Sequence, residues 1–278
     1  MRINLLKFLL SLLLVLFVPV ANAENVDIGD IEVEYHKMGN GDPIILINGF
    51  GNPLDYWPPR LLDELKQNYT VITFDNRGVG NSTAGEKKFT IEQFAEDTNK
   101  FLDAINITKV HVLGFSMGGR IAQELALSHP EKIDKLIIYA TSCSGTRQIP
   151  ADSQVMEILS DEKTKPTEMK KKLKTALYPR GFDFNTLPKS KEIVSDKTLS
   201  LQQKAIANWS GVCNELNNIQ KPTLVIVGTK DNLAPPANSL LIAKNIPGAW
   251  LIKIEGGMHP VMFQYPEKFT NIILFFLS

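Results

Sequence analysis

A serine set among glycines, "GFSMGG" at Gly114–Gly119, follows directly on the apolar stretch "KVHVL". The spacing G-x-S-x-G occurs once, as Gly114-Phe115-Ser116-Met117-Gly118. Between a strand and a helix, such a pentapeptide forces a sharp turn that leaves the serine in a strained backbone conformation, with small flanking residues relieving the clashes. The hydroxyl is then lifted above the sheet at a helix N-terminus, where the dipole favours developing negative charge. A serine hydroxyl is a weak nucleophile and needs an adjacent base, itself held by a third group. The chain has four histidines, so the base can be found by elimination. With this elbow the order along the chain is serine, acid, histidine. His36 and His111 precede Ser116, and His129 lies at the far end of the helix that Ser116 would begin. His259 remains, on the glycine-loosened stretch "EGGMHPVMF".

The acid should come from the end of a strand between Ser116 and His259, because sites in parallel sheets form beyond the carboxyl ends of the strands. "TLVIVGTKDNLAPP" places Asp231 just past such a run. Asp134 stands at the start of its strand, and Asp152, Asp161, Asp183 and Asp196 fall in a segment without strands. The other strand end, after "KLIIYA", holds Thr141, Ser142 and Cys143 and no carboxylate. Ser116, Asp231 and His259 are therefore the candidate triad, with Asp231 fixing the imidazole tautomer and stabilising the imidazolium.

The elements that must position these residues are readable as apolar runs. "IEVEYHKMG" alternates with period two, as an edge strand does. "PIILIN", "TVITFD", "KVHVLG", "KLIIYA", "TLVIVG" and "WLIKIEGG" are short and nearly continuous, as strands buried on both faces are. Helical periodicity separates them over Ile91–Ile105, in "MGGRIAQELALSHP", over Pro236–Ile246 and over Pro266–Leu277. This alternation predicts an α/β fold with a mostly parallel central sheet and helices on both faces. From 147 to 218 the rhythm breaks, and helical patterns without strands predict a helical lid inserted between two core parts, 24–146 and 219–278. The insertion should sit above Ser116, and Leu173, Leu177, Ile206 and Trp209 are expected to line an acyl pocket. Its lysine run "EMKKKLK" reads as the solvated face of a helix rather than a membrane-surface patch.

The motifs together resemble the α/β-hydrolases of the small serine esterase, cofactor-free haloperoxidase and C–C hydrolase type. The matching segments are "NGFG", "DNRGVGNS", "GFSMGG", "GTKDNLAPP" and "GGMHPVMFQYPE", which extend over essentially the whole chain after Ile31. The resemblance implies an oxyanion hole formed by the backbone N–H groups of Phe50 and Met117, which both lie in glycine-rich turns where free donors can converge. It assigns Asp75 and Arg77 a structural role only. One position departs from the family pattern, which has histidine before the first glycine: here it is Asn48, expected to brace the loop by hydrogen bonds. The implied activity is hydrolysis of a small, apolar carboxylic ester through an acyl-enzyme, with no cofactor. C–C bond hydrolysis or perhydrolysis on the same triad is an alternative, as is a non-catalytic binding protein on this scaffold. Haloalkane dehalogenases and epoxide hydrolases need a carboxylate where this elbow carries serine.

The first 23 residues stand apart. Arg2 and Lys7, an apolar run from Phe8 to Val18, Pro19 and the small-residue sequence "ANA" form the three-part pattern of a secretory signal peptide, and the run is short for a membrane span. Periplasmic or secreted location is expected, with no membrane span after cleavage. Cys143 and Cys213, the two cysteines, could form one bridge or remain buried thiols, and neither sits in a metal-ligand spacing. Thirty basic residues balance thirty acidic ones, which points away from nucleic acid as a partner and towards a small-molecule substrate.

Overall fold

The computed structural model describes residues 23–143, 148–190 and 194–278. All but the last residue of the expected signal peptide lies outside these, as does Arg147, where the insertion was expected to begin. Among the described residues eight strands form one sheet: β1 (Glu24–Asp27), β2 (Glu32–Met38), β3 (Asp42–Ile47), β4 (Tyr69–Phe74), β5 (Val110–Phe115), β6 (Ile133–Tyr139), β7 (Thr223–Gly228) and β8 (Trp250–Ile254). Their spatial order is β1-β2-β4-β3-β5-β6-β7-β8. β1 and β2 pair antiparallel, β2 joins β4 antiparallel, and every later pairing is parallel.

The apolar runs are continuous because the central strands are covered twice. Along β3, Ile45 and Ile47 enter one core layer while Ile44 and Leu46 enter the other; in β6, Leu136 and Ile138 alternate in the same way with Ile137 and Tyr139. The first layer is closed by α2 (Ile91–Ala104), α3 (Met117–Ser128) and α7 (Pro236–Asn245). The second is closed by α1 (Pro59–Leu65), the short α8 (Val261–Gln264) and α9 (Pro266–Leu277). Three of these elements are absent from the sequence reading. β1 carries no buried side chain, and α1 and α8 are too short to show a period.

Between β6 and β7 the described residues contain no strand but three longer helices, α4 (Ser153–Ser160), α5 (Pro166–Ala176) and α6 (Asp196–Asn208). Asp152 and Ser195 cap α4 and α6 by accepting from Gln154 and Thr198 N–H groups. Val155, Met169, Leu173, Leu177, Tyr178 and Leu187 form a separate apolar cluster that packs on Phe50 and Leu233 of the core loops and on Phe263 of α8. Cys143 and Cys213 are joined in a disulfide with Cα atoms 4.9 Å apart, and the Val212 N–H also donates to the Cys143 carbonyl at 3.0 Å. The bridge ties the chain leaving β6 to the chain returning towards β7. Among the described residues no helix is long and apolar enough to cross a membrane.

Candidate active site

β5 ends at Phe115 and α3 starts at Met117, so a single residue makes the turn. That residue, Ser116, has φ 55° and ψ −114°, a conformation that costs of order 1–3 kcal/mol for a residue with a Cβ. Its surroundings hold it there. Ser116 N–H donates to the Tyr139 carbonyl at 2.9 Å, and its own carbonyl accepts from Gly119 N–H at 2.9 Å and Thr141 Oγ1 at 2.7 Å. Glycine is required on both sides: a Cβ on Gly118 would stand 2.0 Å from the Ile47 carbonyl oxygen, and one on Gly114 would stand 2.4 Å from the Gly118 oxygen. The flanking glycines thus let the first turn of α3 press against β3 and β5.

His259 follows β8 and brings Nε2 to 3.1 Å from Ser116 Oγ. Its Nδ1 lies 2.9 Å and 3.1 Å from the two carboxylate oxygens of Asp231. Asp231, beyond β7, accepts further hydrogen bonds from Leu233 and Ala234 N–H groups at 3.0 and 2.8 Å. The imidazole is held from behind as well: Tyr139 Oη donates to the His259 carbonyl at 2.7 Å, and the Phe115 ring lies 5.2 Å from the imidazole. Asp231 and His259 are only 3 % and 4 % exposed. A serine, an imidazole and a carboxylate from three strand ends are thus joined in one line of hydrogen bonds, which is the arrangement that can pass a proton from the hydroxyl to the imidazole.

Phe50 and Met117 line one cavity with Ser116, and among the described residues neither backbone N–H has a hydrogen-bond partner. Asn48 braces the Phe50 loop, its Nδ2 donating to the Pro53 carbonyl at 2.8 Å. Two residues that sequence reasoning missed grip the next peptide of that loop. Gln202 of α6 accepts from Gly51 N–H at 2.8 Å, and Lys170 of α5 donates to the Gly51 carbonyl. Lys170 belongs to the run expected to be a solvated face. Lys171 and Lys172 are exposed, but Lys170 turns inward beside Met169, and burial, helped by Lys174, pushes its ammonium down to about 8. Arg77 lies buried beneath, bidentate to Asp97 at 2.7 and 2.8 Å and paired with Asp30. It fixes the loop after β4, as expected of a structural residue.

Two cavities meet at Ser116. The first, of about 460 Å³, is walled by Phe50, Tyr56, Leu173, Leu177 and Leu199, with Lys170 among its polar lining. The second, of about 290 Å³, is bounded by Leu173, Ile206, Met169 and Arg120. Leu173, Leu177 and Ile206 thus line cavities beside Ser116. Trp209 does not line either cavity. It is buried in the core layer over α3, where its Nε1 donates to Glu124 at 2.6 Å. The physical reason is that α6 ends at Asn208 and Trp209 is already extended, with φ −67° and ψ 120°, so it leaves the helical face.

The fold and this elbow define the class of protein. The chain belongs to the α/β-hydrolase fold family, whose model matches residues 42–266, and it is a hydrolase of that fold. It is similar to a poly(3-hydroxyalkanoate) depolymerase of Ectopseudomonas oleovorans, with 29% identity over 85% of this chain and 84% of the relative. It is also similar to the serine hydrolase BPHL of Mus musculus, at 27% identity over 94% of this chain and 88% of the relative. Among solved structures, a hydrolase from Pseudomonas aeruginosa PA01 superposes with a TM-score of 0.78 at 25% identity, covering 92% of this chain and 98% of that one.

Proposed function

We propose that the protein is a serine hydrolase that cleaves a carboxylic ester through an acyl-enzyme, with Ser116 as nucleophile, His259 as base and then acid, and Asp231 as its orienting carboxylate. The observation that carries this reading is the 3.1 Å approach of His259 Nε2 to Ser116 Oγ while Nδ1 is held by both oxygens of Asp231. With Nδ1 donating to the carboxylate, Nε2 has its lone pair towards the hydroxyl. Attack of Oγ on the ester carbonyl transfers the serine proton to Nε2, and the carbonyl oxygen becomes an oxyanion. The N–H groups of Phe50 and Met117 are placed to receive it, the second at the N-terminus of α3. The imidazolium then protonates the leaving alkoxide, and water repeats the sequence on the acyl-enzyme. In this reading α4, α5 and α6 form a lid whose apolar side chains shape the substrate cavities, and the grip of Lys170 and Gln202 on Gly51 couples the lid to the oxyanion loop.

Fluorophosphonate labelling, followed by mapping of the modified residue, tests the reading: the adduct is expected on Ser116 and absent from His259→Ala. A panel of p-nitrophenyl esters run beside dienoate substrates separates ester from C–C bond hydrolysis. Export through the N-terminal segment is part of the proposal. The disulfide supports it, since such bridges persist in oxidising compartments. The intact mass of the exported protein should begin at Glu24, and retention of Met1 would rule the export signal out.

A further inference from the structure

The second cavity contains a charge that no described residue answers with a carboxylate. Arg120 stands one helical turn after Ser116 on α3, and its guanidinium lines the cavity that Ser116 and His259 also line. Its partners are neutral: Nη1 donates to the Ile206 carbonyl and Nη2 to Ser142 Oγ, both at 3.2 Å, and the group lies 5.5 Å from the centre of the Trp209 ring. Among the described residues it has no carboxylate partner, and no Asp or Glu lines this cavity. Burial draws the guanidinium down to about 10, so it remains charged at neutral pH. A guanidinium carries five N–H donors, and these two bonds leave the rest of the fork without a protein partner among the described residues. Beside it, Ser142 Oγ donates to Gln148 Oε1 at 3.2 Å, leaving the Gln148 amide N–H₂ without a partner among the described residues. A half-buried cation with no counter-charge beside it favours an anion that can take up its remaining donors.

We infer that the substrate carries a free carboxylate on the half that enters this second cavity, where Arg120 and Gln148 receive it while the ester carbonyl lies at Ser116. The inference rests on the ester-hydrolase reading above and deepens it. Arginine suits the task because its planar fork matches a carboxylate with two parallel hydrogen bonds. The Trp209 face beneath it and the Ile206 carbonyl hold that fork in place before a ligand arrives. The remaining wall, with Met156, Leu159 and Leu173, suits the methylene chain that would link the carboxylate to the ester. The substrate class is thus a half-ester of a dicarboxylic acid, or an ester of a hydroxy acid, according to which half occupies the cavity.

The test uses matched pairs in a pH-stat. Monomethyl esters of dicarboxylic acids from succinate to suberate are compared with their dimethyl esters, and butyryl esters of hydroxy acids with their methyl-capped forms. In one series, at one chain length, the wild-type protein should favour the free acid in kcat/KM by about 10- to 100-fold, the scale of one charge-assisted pair in a partly closed site. Arg120→Gln should reduce that ratio to near one, and Arg120→Lys should restore part of it. No preference in either series overturns the inference, as does an Arg120→Gln protein that loses free and capped substrates in equal proportion, because a purely structural tie would behave so. Thermal shift of Ser116→Ala supplies a readout without turnover: monomethyl adipate should raise its Tm and dimethyl adipate should not, with the effect absent when Arg120→Gln is added. If the protein hydrolyses no ester and takes no fluorophosphonate but shows this shift, the anion site stands and the ester-hydrolase reading fails. If the shift is also missing, the anion site fails.

Discussion

Removing the Cys143–Cys213 disulfide should lower the stability of the protein by several kcal/mol, chiefly by freeing the unfolded chain. The bridge spans 70 residues and closes the loop that holds the helices α4 to α6. In the chain-entropy model a loop of that length restricts the unfolded chain by about 4 kcal/mol at 25 °C. At roughly 2 °C per kcal/mol for a chain of this size, the Tm should fall by about 8 °C. The native ends are already held by the Val212 N–H to Cys143 carbonyl bond and by burial of Val212, Cys213 and Leu216 in the core layer. The folded structure therefore survives reduction, and the loss is carried by the unfolded state. Calorimetry with and without a phosphine reductant measures it on one chain, and Cys143→Ala with Cys213→Ala repeats it without reductant. The oxidised protein should show no reactive thiol when unfolded. A change in Tm below about 1 °C, or two free thiols in the unreduced unfolded protein, would refute the reasoning.

Ser116→Ala and His259→Ala should each lower kcat for ester hydrolysis by about a million-fold with an unchanged Tm, and Asp231→Asn by about ten-thousand-fold; near-full activity in Asp231→Asn would mean another carboxylate orients the imidazole. Lys170→Met should raise the Tm by roughly 2–4 °C below pH 8, because the ammonium is harder to protonate in the folded protein than in the unfolded chain. That gain should shrink as pH rises from about 8 towards the unfolded value of 10.5, where the wild-type side chain has lost its charge in both states. No gain would show that the bond to the Gly51 carbonyl offsets the burial, and a gain independent of pH would trace it to packing rather than to the charge. Leu173→Ala and Leu177→Ala should shift the acyl chain-length optimum while fluorophosphonate still labels Ser116 at a similar rate. Trp209→Ala should chiefly lower the Tm, because the indole is buried over α3.

How legible each element was depends on how much burial is written into its own residues. β3, β5, β6 and β7 lie inside the sheet and are apolar on both faces, so their runs stand out against the helical segments between them. β1 pairs with β2, with Glu24 opposite Tyr35 and Asp27 opposite Glu32, and of its four residues only Val26 packs on the core, too few to write a pattern. α1 buries Leu61 and Leu65 within a single pair of turns, fewer positions than a period needs. The disulfide could not be read at all, since it depends on two chain ends meeting across an insertion whose path the sequence does not state.

Ser116, Asp231 and His259 were legible because the chemistry restricts both their types and their order along the chain. Lys170, Gln202 and Arg120 were not, because their roles come from which helix face the insertion turns towards the core. Trp209 shows how that matters. Its apolarity at helical spacing suggested a pocket wall, but the helix ends one residue earlier and the extended Trp209 sends its indole over α3. There it forms the surface on which Arg120 rests, 5.5 Å from the ring centre. The aromatic group therefore acts on the cavity at one remove, by fixing a cation that does line it. A substitution that kept the bulk but lost the flat face, Trp209→Leu, should leave the fold largely intact and loosen Arg120. The preference for carboxylated substrates should then fall while acyl chain-length preference stays where it was. If chain length shifted and the carboxylate preference held, the indole would belong to the pocket after all.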